Sequence, residues 1–393
     1  MSLRDLLEHA EPDDARRPRQ SHSNQVVYQA GEPAEVYVNL KSIPDANEQA
    51  YREKIREVVG LDIPEDREVL VKSVRFWGDP TQPYVYVRFD ITDRVGAHEA
   101  PDAVALLKDL RGKRRKPATL YHGDSTLVTS WNDWQVGKRV GNKGTLALAE
   151  RLDRAYDGVS ARARELRSIG RGLGHLVVIG GGDMIEGCTI FPHQSYEIDS
   201  DRRTQVRNAT AFILEGLDRL APLFERVTVL VVPGNHGENR IDGKRVNRTD
   251  NDDCAVFEHA ALAASRDKRL GHVEFLISQG DPARTMDVNG WVLGTTHGHV
   301  YGRGSGGSIE QKAFKWFMGQ AAGRRPIGDS DILVTHHFHH LAARDWGACQ
   351  WIQTPAMDGG SEWVTDLNGQ SSQPGMLTFV TTPDERVKDI QIV

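Results

Sequence analysis

Cysteine is scarce: the 393 residues hold three, Cys188, Cys254 and Cys349, widely spaced and never as CxxC. That excludes a disulfide framework and a thiolate zinc ribbon, and it fits a reducing compartment. Long apolar runs are missing as well. Nothing approaches the ~18 consecutive apolar residues that a membrane-spanning helix needs. The opening MSLRDLLEHAEPDD has no apolar signal-peptide core, so a cytoplasmic location without a membrane partner is expected. An excess of positive charge is lacking too. The formal net charge is -6, whereas polyanion binders often carry a strong positive balance, so any hold on nucleic acid must come from local patches. No internal repeat is visible.

What is present is the composition of an ordinary globular protein, 39% hydrophobic and 26% charged. The length exceeds one hydrophobic core, so a large domain with a smaller companion is expected. The clearest seam is RGKRRKP at 111–117, basic and closed by proline. It divides the chain into a small N-terminal α+β module over 1–116 and a larger domain over 117–393. Within the module, 47–59 has the spacing of a charged amphipathic helix, and 69–76 and 84–91 read as strands joined through Gly78, Asp79 and Pro80. Arg16, Arg17 and Arg19, set among Pro and Ser, read as a flexible tail.

Past the seam, strands and helices alternate. Strands are expected at 127–131, 175–179, 227–232, 273–278, 291–296, 332–335 and 377–381, with helices at 145–169 and 204–220. That alternation predicts a layered α/β fold. In such folds the loops at the carboxyl ends of strands converge on the ligand site. Five of these loops open on polar side chains: Asp133 and Gln135 in NDWQ, Asp183 in GGGD, Asn235 and His236 in PGNH, His297 in TTH, and His337 with His339 in THHFHH. Carboxylate, amide oxygen and imidazole without thiolate suit open, catalytic sites for Mn²⁺, Fe or Zn²⁺.

In this order the motifs resemble those of the calcineurin-like metallophosphoesterases, whose pattern is D-x-H, G-D, G-N-H-[DE], a lone H, then G-H-x-H. The resemblance covers about residues 127–340. GD followed by MIEG, and GNH followed by glycine, is similar to phage and bacterial members and to the bacterial break-repair nucleases. The resemblance implies a metallophosphoesterase-type β-sandwich flanked by helices. It also implies two divalent metal ions, Mn²⁺ first, with Fe, Zn²⁺ or Mg²⁺ as alternatives. Asp133, Gln135, Asp183 and His339 would hold one ion and Asp183, Asn235, His297 and His337 the other, with Asp183 as the bridge. A metal-bridging hydroxide would attack phosphorus in line, while His236 protonates the leaving oxygen or stabilises the transition state. The implied substrate is a phosphodiester, nucleic acid foremost, and the implied activity that of a nuclease on DNA or RNA.

The sequence departs from the family pattern at three points. Gln135 stands where the family has histidine; an amide oxygen is a weaker ligand, and both a ligand role and a supporting hydrogen-bonding role stay open. His336 replaces a glycine, and Glu238 stands one residue beyond the family acid, leaving Asp250, Asp252 or Asp253 to orient His236 instead. Strand alternation at 336–340 would put His337 and His339 on one side and His336 and His340 on the other. Arg240 is the candidate phosphate clamp and His299 a further substrate contact. Trp131, Trp134, Tyr196 and Trp363 could stack bases or fill the core. The same centre would equally serve a small-molecule phosphatase, a cyclic-nucleotide phosphodiesterase or a non-catalytic, metal-stabilised DNA-binding protein. A homodimer is compatible with the sequence.

Overall fold

The computed structural model describes residues 24–27, 34–40, 48–65, 67–79, 82–93, 122–139, 144–191, 194, 197–241, 243–302, 306–358 and 373–393. The chain divides into two compact units, Met1–Glu99 and Ala100–Val393. The basic stretch at 111–117, the arginines near the N-terminus, Tyr196 and Trp363 lie outside the described residues.

The first unit ends at Glu99, ahead of the basic seam at 111–117, and combines strands with one helix. Strands β1 (Gln25–Val27), β2 (Ala34–Leu40), β3 (Arg67–Asp79) and β4 (Gln82–Asp93) form an antiparallel sheet in the order β1-β2-β4-β3, with helix α1 (Glu48–Val59) between β2 and β3 in sequence. Alternate residues point to one face, so Val36, Val38, Val87, Phe89 and Ile91 together cover Ile55 of α1 and Leu61.

The second unit has the layered α/β sandwich architecture. Strands β5 (Ser125–Trp131), β6 (Leu173–Gly180) and β7 (Arg226–Val231) alternate with helices α2 (Gly144–Ser168) and α3 (Arg202–Leu220). A ribbon of β8 (Arg240–Ile241) and β9 (Lys244–Arg245), helix α4 (Asp252–Ala264) and strands β10 (Val273–Ile277), β11 (Ala283–Val288) and β12 (Trp291–Thr296) follow. The chain continues through α5 (His299–Gly302), α6 (Ile309–Ala322), β13 (Ile332–Thr335), β14 (Ala342–Asp345) and β15 (Gln350–Gln353) to β16 (Leu377–Thr381) and β17 (Lys388–Ile392). One sheet has the order β10-β7-β6-β5-β16-β17 and the other β11-β12-β13-β15-β14.

Burial on both faces explains the near-continuous apolar strands. In β5 and β6, Val128, Val177 and Ile179 meet Leu293, Ile332, Val334 and Ile352 of the facing sheet. Their neighbours Leu127, Leu176 and Val178 turn the other way, under the helices. Helix α2 supplies Leu148, Leu152, Tyr156, Val159, Ala163 and Leu166, an apolar stripe at three- and four-residue spacing. On the far side Tyr301, Ala313 and Phe317 cover Leu333 and Trp351. Trp131 and Trp134 are core residues, 0% and 1% exposed, packed with Tyr156 and Phe212, and are not free to stack bases.

Register positions the site. Parallel pairing sets Trp131 beside Gly180 and Gly180 beside Val231, and in the other sheet Thr296 beside Thr335. Three strands therefore end side by side in one sheet and two in the other. Strand β13 ends at Thr335, so residues 336–340 form a loop and not a continuing strand. Among the described residues no helix is long and apolar enough to cross a membrane, and all three cysteines are free.

Candidate metal centre

Asp133, Gln135, Asp183, His337 and His339 all occupy the left-handed backbone region, with φ of 49, 45, 53, 76 and 61°. For residues with a Cβ this costs about 1–3 kcal/mol each, and such strain collects where a side chain must be aimed. All five stand in the loops that follow the strand ends. Strand alternation is therefore not what separates the histidines of THHFHH. The left-handed turns at His337 and His339 face the centre. Buried His336 is instead held between the Thr295 and Thr354 hydroxyls at 3.1 and 2.8 Å, and His340 is bonded to Phe338 O at 2.8 Å.

The loops fit only because glycine brings backbone close. A Cβ at Gly234 would lie 2.1 Å from Asp183 Oδ1, and one at Gly181 would lie 2.5 Å from the His336 ring. Asp253, buried at the start of α4, knits two loops together: its carboxylate accepts from the backbone N–H of Asp183 (2.9 Å), Met184 (2.8 Å) and Gly234 (2.9 Å). Burial first, then the charge of Asp183, pushes its carboxyl up to about 7. Asp253 thus supports the loop backbone and does not orient the His236 ring. Of the other two acids considered for that task, Asp252 pairs with Arg202.

Asp183, His297 and His337 bring ligand atoms within 4.8 Å of one another. His297 Nδ1 donates to Gly181 O at 2.8 Å, which aims Nε2 at Asp183 Oδ2, 2.9 Å away. Those two atoms face each other, and the buried Asn235 Oδ1 has no hydrogen-bond partner. A close buried cluster of ligand atoms from loops far apart in sequence, beside an unpartnered amide oxygen, is an arrangement that could hold a cation. The donor set, carboxylate and amide oxygen with imidazole nitrogen, fits a divalent ion. Burial alone would push the His297 imidazole down, but Asp183 and Asp133 hold it up at about 9: the pocket favours positive charge. Burial keeps His337 down at about 4, in the neutral form whose lone pair can ligate.

The other half differs. Asp133 Oδ1 lies 3.1 Å from His339 Nε2, while Oδ2 accepts from Asn132 Nδ2 at 2.7 Å and from His337 N at 3.3 Å. His339 Nδ1 faces Asp358 Oδ1 at 3.4 Å. Lys138 Nζ bridges Asp358 Oδ2 (2.5 Å) and Gln135 Oε1 (2.8 Å). The oxygen that Gln135 would offer an ion is therefore taken by an ammonium group. Asp358 lies 220 positions from Lys138, too far for any local pattern to join them.

His236 sits at the rim. Its backbone N–H donates to Asp183 Oδ1 at 2.8 Å, and its Nδ1 donates to Glu186 O at 2.9 Å, with Glu186 Oε2 at 3.4 Å and Gln194 Nε2 at 3.3 Å. Nε2 is left facing the centre, 3.9 Å from Asp183 Oδ2. Glu186, three residues after Asp183 in GDMIEG, orients this ring, a role the sequence reading left to other acids. Arg240 pairs with Glu238 at 2.6 Å and covers Phe191, whose ring lies 5.1 Å from that of His236. The His299 ring is 5.4 Å from that of His297.

No family profile matches this chain, and no curated protein does. Among solved structures it is similar to wild-type Vps29 with Zn²⁺ from Entamoeba histolytica (15% identity, 68% of this chain and 98% of that one, TM-score 0.30). It is also similar to a hypothetical protein of Pyrococcus horikoshii (8%, 68% and 87%, 0.34) and to an archaeal phosphodiesterase (9%, 68% and 99%, 0.31). At these identities and scores nothing about activity passes from those proteins to this one.

Proposed function

We propose that this protein is a divalent-metal-dependent phosphoesterase that hydrolyses phosphodiester bonds, with nucleic acid as its substrate. The observation that carries the reading is the cluster of ligand atoms of Asp183, His297 and His337, all within 4.8 Å of one another where strand ends meet, with the buried Asn235 Oδ1 left without a partner. Asp183, Asn235, His297 and His337 would hold one ion. Asp133 and His339, with Asp183 shared, would hold a second, and Mn²⁺ is the candidate for both. Such ions supply an activated water nucleophile and neutralise charge on the phosphoryl oxygens.

The chain's own residues do the rest. His236, fixed through Nδ1 by Glu186, presents Nε2 to the leaving oxygen and delivers a proton there. Arg240 and His299 border the substrate side. Asp358 sits behind His339 and fixes its ring, the usual support for a ligating histidine. Gln135 acts through Lys138 and Asp358. Gln135→Ala is then expected to weaken one ion by about tenfold to a hundredfold, whereas His339→Ala removes that ion's binding; isothermal titration with Mn²⁺ compares them. Equal losses would make Gln135 a direct ligand.

The functional test is a substrate panel with added Mn²⁺: single- and double-stranded DNA, RNA, bis-p-nitrophenyl phosphate and p-nitrophenyl phosphate. Cleavage of a nucleic acid and of the diester above the monoester is expected. Intact polymers beside a cleaved small diester would refute the nucleic-acid substrate, and preference for the monoester would refute the diesterase.

A further inference from the structure

The ribbon β8–β9 leaves the GNH turn directly and contributes nothing to holding ions. Its base is pinned: Glu238 bridges to Asn251, Asp252 N donates to Gly237 O at 2.8 Å, and Val246 N donates to Asn239 O at 3.0 Å. Beside it lies an open cleft of about 530 Å³ lined by Arg240, Arg245, Arg248, Glu238 and Asn247. A second hollow shares Glu238, Arg245, Asn247 and Arg248 and continues to Gly234 and His299 at the candidate centre. The two share a wall, so the ribbon cleft adjoins the loop that carries Asn235.

Its charge is arranged for an anion. Buried Glu238 receives both Arg240 and Arg245, one on each carboxylate oxygen, and so fixes two guanidinium groups side by side. Among the described residues Arg248 has no ion-pair partner. With Asp250 at the rim of the inner hollow, three guanidinium groups face two carboxylates, and the balance is positive in a protein whose net charge is -6. Pre-oriented guanidinium forks match phosphate oxygens in pairs. A small phosphodiester held at the ligand cluster would have no second anion to place in the cleft; a polynucleotide has one at every nucleotide.

We infer that the ribbon cleft is a second phosphate subsite, taking the phosphate adjacent to the scissile one on a single nucleic-acid strand. This rests on the phosphodiesterase reading above. The test uses a fluorescein-labelled single-stranded DNA oligonucleotide, with Ca²⁺ in place of Mn²⁺ to hold off turnover, and the full-length wild type, Arg248→Gln and Arg245→Gln proteins. Anisotropy should show Kd raised about tenfold for each substitution, and a salt dependence of log Kd shallower by about 0.7. With Mn²⁺, the ratio of kcat/KM on the oligonucleotide to kcat/KM on bis-p-nitrophenyl phosphate should fall about tenfold. An unchanged ratio and an unchanged salt slope would overturn the subsite. Among the described residues Arg248→Gln breaks no ion pair, so the test stands even if Arg245→Gln, which leaves Glu238 with a single arginine partner, fails to fold. A wild-type protein inert toward both substrates would count against the hydrolase reading, and the binding slopes would still decide the cleft.

Discussion

Asp183→Asn is expected to lower hydrolysis of any phosphodiester by about a thousandfold or more, roughly 4 kcal/mol of barrier, with the fold intact. The side chain keeps its volume and an oxygen to accept from His236 N, the 2.8 Å bond that joins two loops. What it loses is the buried negative charge that faces His297, His236 and His337, whose imidazoles hold the Asp183 carboxyl far below its ordinary range despite burial. A neutral amide there leaves Asn235 and the imidazoles without an anionic centre. Hydrolysis within tenfold of wild type would remove Asp183 from the reaction. Circular dichroism and thermal melting of the variant separate loss of chemistry from loss of fold.

The next largest effect is expected of His236→Asn, about a hundredfold to ten-thousandfold in kcat. Its dependence on substrate identifies the role. A proton donor matters most when the leaving oxygen is a poor leaving group, so the loss should be large on an oligonucleotide, which expels an alkoxide, and small on bis-p-nitrophenyl phosphate. Metal content should match wild type, because His236 is held by Glu186 and Gln194 and lends no atom to the ligand cluster. Equal loss on the two substrates would argue for a general electrostatic role.

Much of the second unit was legible because its strands are buried on both faces. An apolar run that stops abruptly at polar residues can be read without any knowledge of the fold, and the strands at Trp131, Gly180, Val231, Thr296 and Thr335 end within a residue of where the sequence places them. Helices α4 and α6 were not read. In α4, DDCAVFEHAALAA is apolar around most of its circumference, and α6 exposes Phe314 and Met318, so neither shows a clean stripe. The Asn251 cap and the two aspartates of the first turn were the available signal for α4. Edge strand β14 is largely exposed and carries little apolar pattern.

The site followed the same rule. Residues standing at strand ends were visible, while the contacts that support them across the fold were not. Asp253 reaches Asp183 over 70 positions, and Lys138 reaches Asp358 over 220. Their effect changes the chemistry of the centre: Gln135, in the position of a ligand, has its oxygen committed to Lys138, so the two halves are unequal.

Metal content tests the central claim most directly. Wild-type and Asp183→Asn proteins, incubated with Mn²⁺ and passed through a desalting column, would be compared by elemental analysis. The wild type should retain close to one tightly bound ion per chain, with a second taken up only in excess Mn²⁺, and Asp183→Asn should retain none. Wild-type protein that emerges metal-free, or a variant that keeps as much as wild type, would contradict a metal centre built on Asp183.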